Sequence, residues 1–338
     1  MTKRRLSGQQ KRRIHELQQA RLARTSERAE RRAQRLEASG LGPEQGGRVR
    51  VNFGSTLVVE DAAGRLVTCS ARQNLGPIVC GDRVAWQASP LGEGVVSAVA
   101  PRQGCLLRPD ARGELRPIAA NLDRLVLVIA PRPPFDEAQI DRYLVAAELT
   151  GIPATLLLNK VDLLDPGERS AADARLAGYQ RVGYPLLHAS CASAHGLDEL
   201  RAALAHGSSI LLGQSGVGKS SLVNHLVPGR DVRTGELSAT GAQGTHTTSA
   251  TTLYHLPGGG ELIDSPGVWE FSPPLSDPEQ LAHGFVEFRA HLGRCRFSNC
   301  RHASEPGCAL QQAVDDGEVE ARRLASYRAL RSALESGR

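Results

Sequence analysis

The residues whose spacing is most specific for chemistry are 213–220, which read GQSGVGKS between an apolar run at 210–212 and a helix-forming stretch at 219–226. The glycines let backbone N–H groups turn toward a phosphate, and the lysine reaches the β and γ oxygens. The alternative is a glycine-rich turn that binds nothing. We predict a nucleotide-phosphate site formed by Gly213, Gln214, Ser215, Gly216, Val217, Gly218, Lys219, Ser220 and Ser221.

A second motif, at 159–162, follows an apolar run at 154–158. The carboxylate of Asp162 can accept hydrogen bonds from the N1–H and 2-amino groups of guanine, whereas adenine offers neither donor there. A site built on such pairing strongly rejects the analogue that lacks the donors. The base-binding residues predicted here are Asn159, Lys160, Val161 and Asp162, together with Ser190 and Cys191 after the next strand, whose backbone N–H groups would reach the guanine O6.

A third set of residues is suited to Mg²⁺ and the γ-phosphate. Asp264, directly after an apolar run at 261–263, would hold magnesium through water, and the Gly267 N–H would face the γ-phosphate. Ser220 would be a direct magnesium ligand. The loop 244–248, Gly-Thr-His-Thr-Thr, has the composition of a mobile switch, and Thr248, in preference to Thr247, would complete the magnesium shell.

These motifs need a parallel sheet to bring them together. Apolar runs at 125–130, 154–158, 186–189, 210–212, 252–255 and 261–263 alternate with helical patterns at 137–149, 171–182 and 197–205, which predicts a parallel α/β sheet with helices on both faces. Ligands of such sheets bind at the carboxyl ends of the strands. In familiar GTPases the phosphate loop comes before the Asn-Lys-x-Asp motif, so the reversed order here predicts a circularly permuted GTPase domain.

A compact set of metal-ligand residues follows this domain, with the spacing Cys-x4-Cys-x-His-x5-Cys. Three thiolates and one imidazole form a closed tetrahedral set that fits one structural zinc ion and leaves no open catalytic position. The alternative is that these cysteines are core residues. The predicted zinc ligands are Cys295, Cys300, His302 and Cys308, while Cys69, Cys80, Cys105 and Cys191 are predicted to be small buried apolar residues.

Composition bounds the class of protein. The 338 residues carry a net charge of +5, yet residues 1–40 alone hold 12 Lys/Arg against 4 Asp/Glu, a balance of +8, which leaves −3 for the remainder. Such a tail suits a polyphosphate partner such as RNA, or it is a solvated charge run. We expect too little apolar surface in it to bury. No apolar run approaches a membrane span and no secretory signal is present, so we predict a soluble cytoplasmic protein.

Short alternating runs at 48–53, 56–60, 65–69, 82–87 and 95–99 predict a small closed barrel, with the oligonucleotide-binding (OB) type as the leading candidate. RNA contact through it would use Phe53 and Trp86 for stacking, with Arg72, Arg83 and Arg102; a purely structural barrel is the alternative. The predicted domains are a basic, flexible extension (1–45), the barrel (46–112), the GTPase domain (113–275), and a mainly helical zinc-binding domain (276–338) with helices at 278–292 and 319–334.

With the barrel, the permuted motifs and the Cys₃His set in one order, the chain resembles the RsgA (YjeQ) family of small ribosomal subunit biogenesis GTPases. Residues 79–84, 120–123 and 141–144 look like further landmarks of that family. The resemblance implies binding to the immature small subunit and its rRNA late in assembly, through barrel and zinc domain. It also implies slow GTP hydrolysis that the subunit stimulates. Cys191 departs from the alanine common in GTPases at this position.

The predicted function is therefore hydrolysis of GTP during maturation of the small subunit, by a monomer with no membrane partner. The residue after Asp-x-x-Gly is Val268, which cannot orient the attacking water, so a low intrinsic rate is expected. His246 or a ribosomal group would supply that positioning, with Lys219 as the second catalytic residue; His246 as an ordinary switch-loop residue stays open. The alternative functions are an RNA-binding assembly scaffold with little turnover and a P-loop ATPase or kinase.

Overall fold

The computed structural model describes residues 30–54, 56–110, 114–228, 251–265 and 278–336. The chain divides into two compact units, Met1–Arg102 with Ala250–Thr252, and Gln103–Ser249 with Leu253–Arg338. Among the described residues, no helix is both long and apolar enough to cross a membrane.

The first unit contains a closed five-stranded barrel, so the predicted OB-type barrel is confirmed. Its strands are β1 (Glu44–Asn52), β2 (Leu57–Asp61), β3 (Leu66–Ala71), β4 (Arg83–Ala88) and β5 (Gly94–Val99). The ring closes because β1 pairs with both β2 and β4, while β5 pairs with β3 and β4. Alternate residues point inward, and Val49, Val59, Trp86 and Val96 form the centre of the barrel core.

Burial corrects the prediction that Trp86 is a stacking platform, because this indole is only 1% exposed and fills the barrel core. Two of the three arginines that we expected to contact RNA are also engaged. Arg102 forms an ion pair with the buried Asp82, and Arg72 forms one with Glu37. Phe53, 48% exposed, is the aromatic side chain that the described part of the barrel leaves accessible.

A helix, α1, covers residues 30–38, and here the expectation of an extension with too little apolar surface to bury is wrong. Ala33 and Leu36 are buried and pack with Val95 of β5. The Arg32 guanidinium adds an ion pair with Glu93 at 2.6 Å. Two apolar residues are too weak a pattern to predict a buried helix from sequence. Ala33 and Leu36 are buried because they pack against the barrel.

The second unit begins with a hairpin that the sequence did not predict, formed by β6 (Cys105–Pro109) and β7 (Leu115–Ala120). The main sheet has the spatial order β10-β9-β8-β11-β13-β12. Its strands are β8 (Arg124–Ile129), β9 (Ala154–Asn159), β10 (Leu186–Ala189), β11 (Ser208–Leu212), β12 (Thr251–His255) and β13 (Glu261–Asp264). The run from β10 through β13 is parallel, as predicted.

The helices of this sheet are α2 (Glu137–Thr150), α3 (Pro166–Arg181), α4 (Leu197–Ala203) and α5 (Lys219–Leu226). Local sequence sets several of their ends. Asp136 caps α2 by accepting a hydrogen bond from the Ala138 N–H, and Gly151 ends the helix in a left-handed conformation. Asp165 and Glu168 form a reciprocal capping box at the start of α3.

The C-terminal part of the second unit is mainly helical, with α6 (Pro278–His283), α7 (Ala309–Asp315) and α8 (Ala321–Ser336). The predicted helix at 278–292 is wrong beyond His283. Gly284 passes so close to Val145 that an added Cβ would lie 2.6 Å from its Cγ1, and a short 3₁₀ turn, Val286–Phe288, follows. Close packing against α2 therefore requires glycine at the position that follows the helix. The helix predicted at 319–334 is confirmed with ends shifted by two residues, and α7 was not predicted.

Candidate nucleotide site and metal centre

The phosphate loop joins β11 to α5 and has little room for side chains. Gly213 has φ +145°, and a Cβ added to it would lie 2.2 Å from the carbonyl oxygen of Val128. Gly218 has φ +99°, and its Cβ would lie 2.4 Å from the Asn159 side-chain nitrogen. The two glycines are therefore required by close approach of neighbouring strands as well as by the backbone turn.

Lys219 closes the loop on itself. Its Nζ donates hydrogen bonds to the carbonyl oxygens of Gly213 at 2.6 Å and Gln214 at 2.8 Å. Burial lowers the pKa of this lysine below its ordinary value, and the charge of Asp264 acts in the opposite direction. This partly buried ammonium group can replace its hydrogen bonds to carbonyl oxygens with hydrogen bonds to phosphate oxygens.

The early Asn-Lys-x-Asp motif touches the phosphate loop directly. Asn159 Nδ2 donates to the Val217 carbonyl oxygen at 2.8 Å, and Lys160 Nζ donates to the Gly216 carbonyl oxygen at 2.5 Å. Lys160 Nζ also donates to the carbonyl oxygen of Arg132. Residues 58 positions apart therefore meet at the tips of β9 and β11, with β8 between these strands.

The predicted base-binding residues adjoin one another at the ends of β9 and β10. Ser190 Oγ donates a hydrogen bond to the Asp162 carboxylate and accepts bonds from the Ala192 and Ser193 N–H groups. Cys191, the next residue, is partly buried, and burial together with the nearby Asp162 charge raises the pKa of its thiol. The buried Oδ1 of Asn159 has no hydrogen-bond partner among the described residues.

Asp264 is the last residue of β13, which pairs with the phosphate-loop strand β11 through Ile263 and Ile210. Ser220 lies in the first turn of α5 and is exposed. The motif carboxylates and the phosphate loop therefore lie at the same edge of one sheet. The predictions for His246, Thr247, Thr248 and Gly267 lie outside the described residues.

The four predicted metal ligands come together in the helical part. One ligand atom from each of Cys295, Cys300, His302 and Cys308 lies within 4.8 Å of every other. The His302 Nδ1 is 3.4 Å from the Cys295 and Cys308 sulfurs and 3.6 Å from that of Cys300. Burial lowers the pKa of His302, which favours the neutral imidazole that a metal requires. This arrangement can hold a metal ion.

Comparison with known proteins decides the family. The sequence profile of the RsgA GTPase family matches residues 99–273. The small ribosomal subunit biogenesis GTPase RsgA of Azotobacter vinelandii is 50% identical over 338 residues, covering 99% of this chain and 98% of the relative. This chain belongs to the RsgA GTPase family.

Other RsgA relatives extend the agreement to the whole fold. The RsgA protein of Pseudomonas aeruginosa is 50% identical over 97% of both chains. The crystal structure of YjeQ from Thermotoga maritima superposes with a TM-score of 0.72 at 30% identity, over 86% of this chain and 99% of that one. A second structure, YloQ, described as a circularly permuted GTPase, gives a TM-score of 0.69 at 27% identity and covers 88% of this chain and 96% of that one. The predicted permuted GTPase architecture is therefore confirmed.

The sequence missed two features around this RsgA-type site. Gln139 of α2 is hydrogen-bonded to Gln214 of the phosphate loop, 75 positions away. The carboxylate of Asp141, two residues further along α2, is completely buried. It forms ion pairs with Arg322 and Arg323 and accepts a hydrogen bond from the Tyr179 hydroxyl. No local pattern could have revealed either contact, although Asp141 already stood out as a family landmark.

Proposed function

We propose that this chain binds GTP at the β9, β10, β11 and β13 tips and hydrolyses it to GDP and phosphate during biogenesis of the small ribosomal subunit. The observation that carries the proposal is the direct contact of Asn159 and Lys160 with the phosphate loop. This contact joins a base-recognition motif to a phosphate-binding motif at one sheet edge. The names of the relatives, small ribosomal subunit biogenesis GTPases, give the biological setting.

The base would be selected by Asp162, whose carboxylate accepts hydrogen bonds from two guanine donors that adenine lacks. The bond from Ser190 Oγ supports this role because it orients the carboxylate. The backbone N–H of Cys191 would donate to the guanine O6, whereas that of Ser190, which we also expected to do so, already donates to the His195 carbonyl oxygen at 2.9 Å. Lys160 would keep the base-binding and phosphate loops together through its bonds to Arg132 and Gly216.

The phosphates would be held by the loop N–H groups from Gly213 to Ser221 and by Lys219. In the reaction, a water attacks the γ-phosphorus while its bond to the β–γ bridging oxygen breaks, and negative charge spreads over the equatorial oxygens and the leaving oxygen. Lys219 and the N-terminus of α5 would stabilise that charge. Ser220, Thr248 and Asp264 have the oxygen ligands that Mg²⁺ prefers, and a bound Mg²⁺ neutralises phosphate charge.

The water must be oriented by a group other than Val268, whose side chain has no hydrogen-bonding atom. We propose His246 of the switch segment or a group of the ribosomal subunit, which makes the intrinsic rate low and the reaction dependent on the subunit. Replacement of His246 by alanine tests the first choice. Subunit-stimulated turnover that survives this change assigns the positioning to the subunit.

The ion of the metal centre is proposed to be one structural zinc. Three thiolates and one imidazole match its preference for sulfur and nitrogen in a tetrahedral set, and no ligand position remains for a substrate. The remaining proposals are a monomeric protein, rRNA as the contacted component of the subunit, action in the cytoplasm, and a domain limit at 275. The limits predicted at 45 and 112 differ from the observed division, in which α1 packs on the barrel and the second unit begins at Gln103.

The test is phosphate release from GTP by the purified full chain, with and without purified small subunits. We expect a slow basal rate that rises at least about tenfold with small subunits and is unchanged by large subunits. Lys219→Ala should abolish the stimulated rate, and excess ATP should not compete. A rate that the subunits leave unchanged, together with tight subunit binding, indicates a scaffold; competition by ATP indicates an adenine-nucleotide enzyme.

A further inference from the structure

The segment 294–301, which we name the metal loop, carries Cys295 and Cys300 and is strongly basic. Residues 289–304 contain four arginines and no acidic residue. Arg289 is ion-paired with Glu148. The side chains of Arg294, Arg296 and Arg301 are on exposed residues and have no carboxylate within ion-pair distance among the described residues. Positive charge at this loop is therefore available to an outside partner.

An aromatic ring stands among these charges. Phe297 is 44% exposed, and the Arg296 guanidinium lies 5.4 Å from its ring centroid. Its neighbours Ser298 and Asn299 are polar and exposed, and Phe297 is the one large exposed apolar side chain among the described residues of the metal loop. An accessible ring beside a guanidinium is the combination on which nucleic-acid bases stack, whereas a protein-docking surface of ordinary size needs a broader apolar centre.

The backbone around the ring is fixed by hydrogen bonds within the metal loop and to its neighbours Gly307 and Arg331 of α8. The Arg296 N–H donates to the Gly307 carbonyl oxygen at 2.9 Å, and the Cys300 N–H donates to that of Phe297 at 3.2 Å. The Arg301 carbonyl oxygen accepts from Arg331 at 3.1 Å. A ring on such a turn loses little conformational freedom when a base stacks on it.

The nearby carboxylate of Glu305 does not neutralise the surface through an ion pair. It accepts hydrogen bonds from the N–H groups of Arg301, Ala303 and Ser304, and the first of these contributes most to lowering its pKa, to about 2. The carboxylate thus caps the backbone turn around His302. The metal loop thus keeps a local excess of positive charge.

The barrel offers a weaker surface of the same kind. Its tryptophan is buried, Arg102 and Arg72 are ion-paired, and Phe53 is the accessible ring. Because Phe53 and Phe297 are the exposed phenylalanines of the described chain, they form a natural matched pair for substitution.

We propose that the metal loop binds an unpaired, single-stranded stretch of RNA, with one base stacked on Phe297 and the flanking phosphates contacted by Arg296 and Arg301. This inference rests on the proposed ribosomal function and adds to it the kind of RNA element and the residues that receive it. Stacking on a ring is tolerant of sequence but needs an unstacked base, so the loop discriminates single strands from duplexes.

The experiment measures binding of the full-length, metal-containing chain to a fluorescently labelled 12-nucleotide RNA, and to the same RNA annealed to its complement. A 2-aminopurine base in the strand reports stacking by loss of its fluorescence. We expect single-strand binding and quenching. Phe297→Leu should abolish the quenching and weaken binding about 5- to 160-fold, the range for loss of one stacked base, while Phe297→Trp should preserve both.

Matched variants separate this loop from other surfaces. Phe53→Leu makes the same change on the barrel and should leave the quenching intact. Arg296→Gln and Arg301→Gln should each lower the slope of log K against log salt by about 0.7, whereas Arg142→Gln, an equal charge change on α2, should not. Metal content and melting temperature, measured for every variant, identify any that fail to fold, and Phe297→Trp then provides the folded comparison.

The outcomes decide the proposal independently of the GTPase. Equal effects of Phe53→Leu and Phe297→Leu, or duplex binding as tight as single-strand binding, overturn it. If Phe297→Leu weakens binding to the small subunit but not to the oligonucleotide, the partner is a ribosomal protein and the proposal is wrong. Failure of subunit-stimulated phosphate release, with Phe297-dependent RNA quenching intact, overturns the proposed function instead.

Discussion

At the scale of single residues, the site depends on polar groups that face each other across strand tips. The hydrogen bond from Asn159 to Val217 lies in a fully buried position, where a missing partner would cost about 1–3 kcal/mol. Lys160, which has a left-handed backbone with φ +60°, donates to the Gly216 carbonyl oxygen of the same loop. These contacts fix the distance between the two motifs that we propose bind the base and the phosphates.

Asp162→Asn tests base recognition at this scale. An amide cannot accept both guanine hydrogen bonds, so GTP affinity should fall at least about 100-fold, while xanthosine triphosphate, which has a carbonyl where guanine has its amino group, should bind better than GTP. Competition against a fluorescent GDP analogue measures both. Asp198→Asn, at an exposed residue paired with Arg201, is the control and should change neither affinity. Unchanged GTP binding in Asp162→Asn would remove the guanine assignment.

At the scale of elements, α1 packs on the barrel, although the basic composition of residues 1–40 gave no sign of a packed helix. Leu36 is buried against Val95, so Leu36→Ala should lower the free energy of unfolding of this unit by about 2–4 kcal/mol. Urea unfolding of the full chain, followed through the core Trp86, measures the loss. Leu91→Ala, at a residue 53% exposed, should cost less than about 0.5 kcal/mol. Equal costs at the two leucines would show that α1 does not stabilise the barrel.

The metal centre is the second element whose stability we predict. Structural zinc supplies on the order of 10 kcal/mol of folding free energy in small modules, so its removal should unfold the segments around Cys295 and Cys308. Thiol modification with a chelator should release one zinc per chain, and hydrogen exchange should accelerate in α7 and α8. Cys300→Ser should lower the zinc content, whereas Cys105→Ser, outside the cluster, should not. Full protection after metal loss would mean that the apolar core alone holds this part together.

At the scale of the second unit as a whole, buried charges join α2, which packs on the main sheet, to the C-terminal helices around the candidate metal centre. Arg323 of α8 donates to Asp141 of α2 at 2.7 Å and forms two hydrogen bonds with Glu287. Both acidic partners raise the pKa of this arginine against the opposing effect of burial. Since α2 also contacts the phosphate loop through Gln139, this helix links the nucleotide site to the metal centre.

Arg323→Met should therefore destabilise the second unit by about 3–5 kcal/mol, because it leaves two buried carboxylates short of a partner. Arg322→Met, at a more exposed arginine that also binds Asp141, should cost about 1 kcal/mol or less. A double-mutant cycle of Asp141→Asn with Arg323→Met, followed by urea unfolding, should give a coupling energy of at least about 1 kcal/mol. A coupling near zero would show that the two side chains act independently.

Much of the fold could be predicted because its signals are local. Apolar runs such as 154–158 and 186–189 gave strands within one residue of those observed, and the metal-ligand spacing brought together the four residues that it indicated. The resemblance to the RsgA family, drawn from the barrel, the permuted order of motifs and the Cys₃His set together, is also confirmed. The individual roles assigned to the nucleotide-binding residues stay predictions, although the structure does bring Asn159 and Lys160 to the phosphate loop.

Taken alone, the sequence determined the family and the four side chains that cluster at the candidate metal site, because the motifs that indicate them are each contained within about fifteen residues. Only the tertiary structure decided that Trp86 is in the core, that Gly284 packs against Val145, and that Asp141 pairs with residues about 180 positions later. The physical reason is that burial and ion pairing belong to surfaces that meet in space, and the sequence around one partner carries no signal of the other.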